Sequence, residues 1–229
     1  MDARARLRKK VLYVDKRLAA VYGRQEPSAR KDDPVDTLIE TILSQNTTDA
    51  NSHRAFLALK AAYPTWEPLL RARPSSVARI IRSGGLAAMK AERIIASLRY
   101  IHDSRGEIEL EFLRDMPPAD ADAWLSQMKG VGPKTRAIVL LFSLGMPLFP
   151  VDTHVHRVSR RLGLIGQKTS RAAAQDELAE LVPETKYYSF HINLIEHGRR
   201  ICRARNPRCQ DCRLESLCDY ASSQCKAQP

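Results

Sequence analysis

The chain has 229 residues, of which 44% are hydrophobic, which supports one large or two small folded domains and excludes a disordered chain. The formal net charge is +11, and the lysines and arginines are spread along the sequence, which favours a polyanionic partner, although a merely basic soluble protein fits the charge equally well. No stretch approaches the ~20 apolar residues of a membrane span, and the basic N-terminus lacks the apolar region of a secretory signal.

Apolar residues recur at helical spacing and β-branched alternation is rare, so we predict an all-α protein. We expect QEPSARKDDP (25–34) to be a linker, and Asp49 and Asp152 to open helices. In chain order, the predicted helices are LRKKVLYVDKRLAAVYG (7–23), VDTLIETILSQ (35–45), ANSHRAFLALKAAY (50–63), SSVARIIRS (75–83), KAERIIASLRYIH (90–102), PPADADAWLSQM (117–128), KTRAIVLLFSLG (134–145), HVHRVSRRLG (154–163), SRAAAQDELAELV (170–182) and KYYSFHINLIEHGRR (186–200).

The segment LSQMKGVGPKTRA (125–137) matches a helix-hairpin-helix motif. Glycines allow the backbone to turn tightly because they have no Cβ. The amides of this turn and the start of the next helix can form a nest for a phosphate, which positions the protein without reading base sequence. The candidate DNA contacts here are Gly130, Val131, Gly132 and Thr135. An ordinary glycine-capped connection between two helices is the alternative interpretation.

Two residues are candidates for covalent chemistry. Lys134 follows the hairpin at the start of an apolar helix, where burial and the helix N-terminus both favour the neutral amine that forms a Schiff base. Asp152 follows an apolar stretch in PLFPVDTHVHRV (147–158), and its carboxylate can deprotonate a lysine or stabilise positive charge at a sugar carbon. A phosphate contact for Lys134 and a simple helix cap for Asp152 are the alternatives.

Four cysteines near the C-terminus have the spacing C-x6-C-x2-C-x5-C, and they are Cys202, Cys209, Cys212 and Cys218. We expect a cytoplasmic protein, associated with the nucleoid if the source is bacterial or archaeal. Disulfides are rare in that compartment, so four such thiols indicate one soft metal centre. The cysteines lie in a segment rich in arginine, where Arg205 and Arg208 are candidates for DNA contacts.

GVGPKT, VDTH and the four-cysteine segment, in this order, resemble the endonuclease III branch of the helix-hairpin-helix DNA glycosylases. The resemblance implies a bifunctional glycosylase and lyase of base excision repair, which removes damaged bases, by default oxidised pyrimidines, and nicks abasic sites by β-elimination. Lys134 falls on the family's Schiff-base nucleophile and Asp152 on its essential aspartate, while the four cysteines fall on the ligands of a [4Fe-4S] cluster. Asn46, in LSQNTTD, falls on the residue that plugs the gap left by a flipped nucleotide, and Leu86, in GGLAAMKAERI, on the wedge.

The resemblance also implies the architecture, which is two all-α domains flanking a DNA-binding cleft. A six-helix barrel containing the hairpin is expected at 28–146, and an iron–sulfur cluster domain at 1–27 and 147–229. Lys134 and Asp152 are expected to face each other across the cleft. The expected partner is double-stranded DNA containing damaged bases or abasic sites. We expect the protein to be a monomer and to have no membrane partner.

Three residues depart from the family pattern. Asn46 replaces a common glutamine, Ser126 stands where some members have a glutamate, and Pro133 stands where a basic residue is common. A monofunctional mismatch glycosylase is one alternative, although such enzymes typically lack a lysine at the position of Lys134. A non-catalytic DNA-binding module with a structural metal is another. Zinc is a third, but zinc ribbons usually have two C-x2-C pairs and this chain has one, which favours iron and sulfur.

Overall fold

The computed structural model describes residues 2–27 and 33–225, and its regular structure in these ranges is helical, with no strand. The all-α prediction is therefore confirmed. None of the helices in the described ranges is long and apolar enough to cross a membrane. The α-helices are α1 (Ala3–Tyr22), α2 (Pro34–Ser44), α3 (Asp49–Ala62), α4 (Pro74–Ile80), α5 (Ala87–Arg105), α6 (Pro118–Ser126), α7 (Pro133–Ile138), α8 (Thr153–Leu162), α9 (Arg171–Leu181), α10 (Tyr187–Arg200) and α11 (Asp219–Cys225).

The start of α3 differs from the prediction that Asp49 caps it. The cap is Thr48, whose side-chain oxygen accepts a hydrogen bond from the Asn51 N–H at 3.4 Å, while Asp49 is the first helical residue. Threonine and aspartate are both good caps, so the sequence alone does not choose between adjacent candidates. An acidic residue in the first turn still complements the helix dipole. Part of the predicted linker at 25–34 lies outside the described residues.

The helix predicted at 134–145 is also different. It is α-helical only to Ile138, and Val139–Ser143 forms a π-helical turn. The guanidinium of Arg114 donates hydrogen bonds to the carbonyls of Ser143 and Leu144, at 2.9 and 3.0 Å, which holds the end of this segment in place. Local hydrophobic periodicity does not report such a distant partner, so the sequence could not locate the change of helix type.

The chain divides into two compact units. We call Arg30–Met146 the hairpin unit, and Met1–Ala29 together with Pro147–Pro229 the cysteine unit. The first contains α2 to α7, and the second contains α1 and α8 to α11. Each unit buries an apolar core of its own, as expected of an independent hydrophobic core.

The hairpin unit is built around α2. Asp33 caps this helix by accepting hydrogen bonds from the N–H groups of Val35 and Asp36, and Pro34 occupies the first helical position, where its missing N–H costs nothing. Its apolar face is completely buried against residues of α3, α5 and the π-helical turn. The core residues are Leu38, Ile39, Ile42, Leu59, Ile94, Leu98 and Leu140.

The cysteine unit places the N-terminal helix against the C-terminal part of the chain. Along α1, Val11, Val14 and Leu18 recur at the spacing of one helix face and are buried. The helix ends at Gly23, whose φ of 82° is readily adopted only by glycine. The Arg17 guanidinium donates to the Arg213 carbonyl at 2.9 Å and to the Ser216 hydroxyl at 2.8 Å, which ties α1 to the cysteine segment.

Candidate functional site

The hairpin has the backbone that the glycines predict. Gly130 has a φ of 87°, in the left-handed region, and the Val131 N–H donates to the Met128 carbonyl at 3.1 Å. Gly132 is extended and caps α7, and Pro133 takes the first helical position. The side chain of Val131 is buried and its N–H closes the turn, so this residue holds the hairpin together. The side chain of Thr135 is buried as well.

A hydrogen-bonded chain joins the hairpin to the loop that follows α2. The Arg93 guanidinium donates to Gln45 Oε1 at 2.7 Å, and Gln45 Nε2 donates to the Gly130 carbonyl at 3.4 Å. Arg93 also packs so closely that a Cβ on Gly130 would lie 2.7 Å from two of its side-chain atoms. The hairpin and the Gln45 loop are therefore positioned relative to each other, and the sequence patterns had not singled out Gln45 or Arg93.

We expect Gly130→Ala to lower the free energy of unfolding by about 1–3 kcal/mol, because alanine is strained at positive φ and its Cβ would displace Arg93. Gly132→Ala is the matched control, because Gly132 has a φ of −82° and no atom lies within 4 Å of an added Cβ. It should change stability by less than about 0.5 kcal/mol. Urea unfolding of the two variants measures the difference, and equal losses would contradict this account.

Two exposed residues stand out in the hairpin unit because their backbones are unusual. Asn46, after α2, has a φ of 53°, and Leu86, before α5, has a φ of 49°. Leucine rarely adopts this conformation, and strained residues of this kind concentrate at functional sites. Leu86 also leaves 53% of its surface exposed. Asn46 and Leu86 are the two residues that the sequence analysis predicts to enter DNA.

The two candidate catalytic residues each sit at the start of a helix. Lys134 is the second residue of α7 in the hairpin unit, and it is half-buried. Asp152 caps α8 in the cysteine unit, where its Oδ1 accepts a hydrogen bond from the Val155 N–H at 2.7 Å. The predicted capping role of Asp152 is therefore present, and the cap holds the carboxylate in a defined position.

The four predicted cysteines line one cavity of the cysteine unit, together with His197, Leu214 and Tyr220. Burial, followed by the neighbouring thiols, raises the pKa of Cys212 to about 11. Burial also raises the pKa of Cys209 and of Cys218. Burial therefore disfavours the thiolate forms of these three cysteines.

Basic residues of α8 support the cysteine segment. The Arg157 guanidinium donates to the carbonyls of Cys202 and Gly198, at 2.9 and 2.8 Å. Arg161 donates to the Cys202 sulfur at 3.3 Å and stacks on the ring of Tyr220. In the sequence, Arg157 and Arg161 cannot be distinguished from the other basic residues. In the folded chain, both donate hydrogen bonds to Cys202.

A buried histidine completes the wall of this cavity. His197 Nε2 lies 3.5 Å from the Cys212 sulfur, and its Nδ1 lies 3.2 Å from the Tyr22 hydroxyl. Burial lowers the pKa of His197 to about 4, so the ring is neutral at pH 7. Within the described residues, no three His, Cys, Asp or Glu side chains are arranged to hold a single metal ion.

The two candidate arginines of the cysteine segment differ in environment. Arg205 and Arg208 are both exposed. Arg208 is paired with Asp211, to which its Nε donates at 2.8 Å. An exposed pair of this kind is weak in water, so Arg208 can exchange this partner for a phosphate at small cost.

Comparison with known proteins gives the family. The model of the HhH-GPD superfamily of base excision DNA repair proteins matches residues 39–184. Endonuclease III of Thermotoga maritima is 35% identical over 191 residues, which are 83% of this chain and 85% of that protein. The chain belongs to the endonuclease III family. The predicted resemblance is therefore confirmed.

The chain is also similar to a DNA glycosylase of Arabidopsis thaliana and to solved structures. The Arabidopsis relative is 40% identical over 168 residues, which are 73% of this chain but 57% of that relative. This chain thus spans little more than half of the Arabidopsis relative. The solved structure of a trapped endonuclease III–DNA covalent intermediate, an estranged-adenine complex, superposes with a TM-score of 0.82. It is 27% identical in sequence, and the match covers 95% of this chain and 98% of that one.

The three departures from the endonuclease III pattern have simple local settings. Ser126 is exposed at the end of α6, and its hydroxyl donates to the Ala123 carbonyl at 2.7 Å. Pro133 starts α7 with a φ suited to a helix. Asn46 occupies a left-handed position that asparagine tolerates better than most residues do.

Proposed function

We propose that this protein is a bifunctional DNA glycosylase and abasic-site lyase that acts on oxidised pyrimidines in double-stranded DNA. The observation that carries the proposal is Lys134, a half-buried lysine directly after a helix-hairpin-helix turn on a chain of the endonuclease III family. A monofunctional glycosylase has no need of an amine at this position, whereas a lyase requires one.

In the proposed reaction the neutral amine of Lys134 attacks C1′ of the damaged nucleotide. The bond from C1′ to the base breaks, and the base leaves with the electron pair and takes up a proton. After the attack the nitrogen carries two hydrogens and loses one of them as a proton. The C1′–O4′ bond then breaks, O4′ takes up a proton, and the C1′=N bond forms as a protonated Schiff base that keeps one N–H. Removal of a proton from C2′ then expels the 3′ phosphate and cleaves the strand. Hydrolysis of the imine releases Lys134.

We assign Asp152 the carboxylate role in this reaction. Its position at the start of α8 is held by the hydrogen bond from the Val155 N–H. A fixed negative charge can stabilise the positive charge that develops at the sugar as the base departs, with no cost for reorienting it. It can also accept a proton when an amine must be neutral.

Asn46 and Leu86 are proposed to fill the space that a flipped nucleotide leaves. Enzymes that act on a base in a duplex take it out of the stack at a cost of a few kcal/mol. An exposed leucine with a left-handed backbone and an exposed asparagine are suitable for this task, because both project from turns of the same unit. Gly130, Gly132 and Arg205 are assigned to backbone phosphates.

The four cysteines fit a [4Fe-4S] cluster. All four line one cavity, and four cysteine thiolates are the usual ligands of such a cluster. Their spacing contains one C-x2-C pair, whereas zinc ribbons usually have two. Cys202, Cys209, Cys212 and Cys218 would hold it. When bound, such a cluster fixes the fold of the cysteine segment and can exchange one electron.

We expect the purified protein to be brown and to contain iron and acid-labile sulfide in about equal amounts. Cys218→Ala should lose most of the iron, whereas Cys225→Ala, which lies outside the four-cysteine spacing, should retain it. Metal and sulfide analysis with the visible spectrum makes the measurement. A colourless protein that contains zinc would contradict the assignment, because zinc has a filled d shell.

The function is tested with duplexes that contain one thymine glycol or one abasic site. The proposal predicts base release from the first and nicking of both, with a 3′ unsaturated aldehyde at the nick. Borohydride should trap protein on either duplex. Base release without nicking or trapping would support a monofunctional glycosylase, and tight DNA binding without any product would support a binding module. Either result would overturn the lyase assignment.

A further inference from the structure

Lys90 is a large, fully buried cation in the hairpin unit, and the chemistry above does not use it. Its side chain is 0% exposed, and it lies in the first turn of α5. Among the described residues it makes no ion pair with a carboxylate. Burial lowers the pKa of Lys90. An apolar side chain would fill this space without the cost of desolvating an ammonium, so the presence of a lysine at this buried position requires an explanation.

The partners of Lys90 supply that reason. Its Nζ donates to the Leu43 carbonyl at 2.7 Å and to the Gly84 carbonyl at 2.8 Å. Leu43 is in the last turn of α2, where carbonyls have no partner within the helix and a cation complements the dipole. Gly84 ends the short 3₁₀ turn at Arg82–Gly84. One cation thus joins two chain segments that are distant in sequence.

These two segments are the ones that carry the proposed insertion residues. The chain leaves Leu43 and soon reaches Asn46, with a φ of 53°, and it leaves Gly84 and soon reaches Leu86, with a φ of 49°. The segments also pack closely, because a Cβ on Gly84 would lie 3.2 Å from the Ala55 Cβ and 3.9 Å from the Leu43 carbonyl oxygen. Asn46 and Leu86 therefore both lie just after a residue whose carbonyl accepts a hydrogen bond from Lys90.

We propose that Lys90 is a positioning residue for DNA insertion, which holds the Asn46 and Leu86 turns at a fixed separation so that both enter the duplex together. Lys90 touches neither DNA nor the reacting atoms, and it acts through the two carbonyls. The proposal rests on the function given above, since it assumes that these turns enter DNA. Ammonium is suited to the task because it can donate to two carbonyls at once.

The test uses Lys90→Met, which keeps the length of the side chain and removes its donors. Leu98→Ala is the matched control, because Leu98 is also buried in α5 and lies further from both turns. The probe is a duplex with a tetrahydrofuran abasic analogue opposite 2-aminopurine, whose fluorescence rises when the estranged base loses its stacking. All measurements are made well below the melting temperature of the least stable variant.

We expect Lys90→Met to lose most of the fluorescence rise and to lower kcat on damaged duplex by roughly tenfold to a hundredfold, because misplacement of about 1 Å has effects of this size. Its affinity for undamaged duplex should stay within about threefold, because phosphate contacts dominate that affinity. Leu98→Ala should keep the fluorescence rise despite its lower stability. If Lys90→Met does not fold, Lys90→Gln is measured by the same criteria, and one retained amide donor should give an intermediate signal.

Trapping on a single-stranded abasic oligonucleotide separates the two proposals, because that substrate requires no insertion into a duplex. Wild type and Lys90→Met should be trapped equally on it. A full fluorescence rise in the folded Lys90 variant would overturn the positioning role and leave the lyase intact. Failure of wild type to be trapped on any abasic DNA would instead overturn the proposed function. If Lys90→Met and Leu98→Ala lost the fluorescence rise to the same extent, Lys90 would only stabilise the fold and the positioning role would be overturned.

Discussion

Lys134→Ala is expected to abolish the borohydride-trapped complex and to slow strand cleavage by at least about a thousandfold, because the amine that forms the Schiff base is gone. Lys134 is the second residue of α7 and alanine is a strong helix former, so the variant should fold. The measurement is trapping on a duplex with one abasic site, together with the single-turnover rate of nicking.

The matched control for this variant is Lys129→Ala. Lys129 is an exposed lysine just before the hairpin, so its loss removes one positive charge from the same surface. Both variants should bind an abasic-analogue duplex within about threefold of wild type, because each has lost no more than one phosphate contact. Persistent trapping by Lys134→Ala would show that another amine attacks the sugar.

Asp152→Asn is expected to have the second largest effect, and it separates the two roles of this residue. Asparagine caps helices as well as aspartate does, and its Oδ1 can still accept from the Val155 N–H, so stability should fall by less than about 1 kcal/mol. The charge is lost, and base release should slow by about a hundredfold to a thousandfold. Thermal unfolding and single-turnover release of thymine glycol measure the two effects.

Ser170→Ala is the control for the capping role of Asp152. The Ser170 hydroxyl caps α9 by accepting from the Ala173 N–H at 3.2 Å. Its removal should cost about 1 kcal/mol of stability and leave base release unchanged. If Asp152→Asn released the base at the wild-type rate, Asp152 would be a structural cap and the carboxylate role would be withdrawn.

The local patterns that the sequence reported correctly are those with a backbone requirement of their own. Gly130 and Gly132 predicted a tight turn before a helix, and the structure has a left-handed glycine followed by an extended one. Ser170 predicted the start of α9, and Asp152 the start of α8. These features depend on the residues themselves and their near neighbours, so the sequence is sufficient to locate them.

The sequence was less able to place features that depend on distant partners. Thr48 and Asp49 are both suitable caps, and the fold chose the first. The π-helical turn at Val139–Ser143 and the short helix α11 were not predicted, because their hydrophobic pattern does not distinguish them from an ordinary helix or a loop. Arg157 and Arg161 appear in the sequence as positive charges and only in the fold as partners of Cys202.

By itself, the sequence determined the all-α class, the hairpin and the four-cysteine spacing, because these follow from periodicity, from glycine geometry and from residue types at fixed separations. The family came from the resemblance of these motifs to those of known proteins. Only the tertiary structure decided that Lys90 is buried and that its ammonium joins the Leu43 and Gly84 carbonyls. The physical reason is that every residue has a backbone carbonyl, so the sequence does not indicate which carbonyl will accept a hydrogen bond from a distant side chain. These two hydrogen bonds form only once packing has brought α5 close to the Leu43 and Gly84 carbonyls.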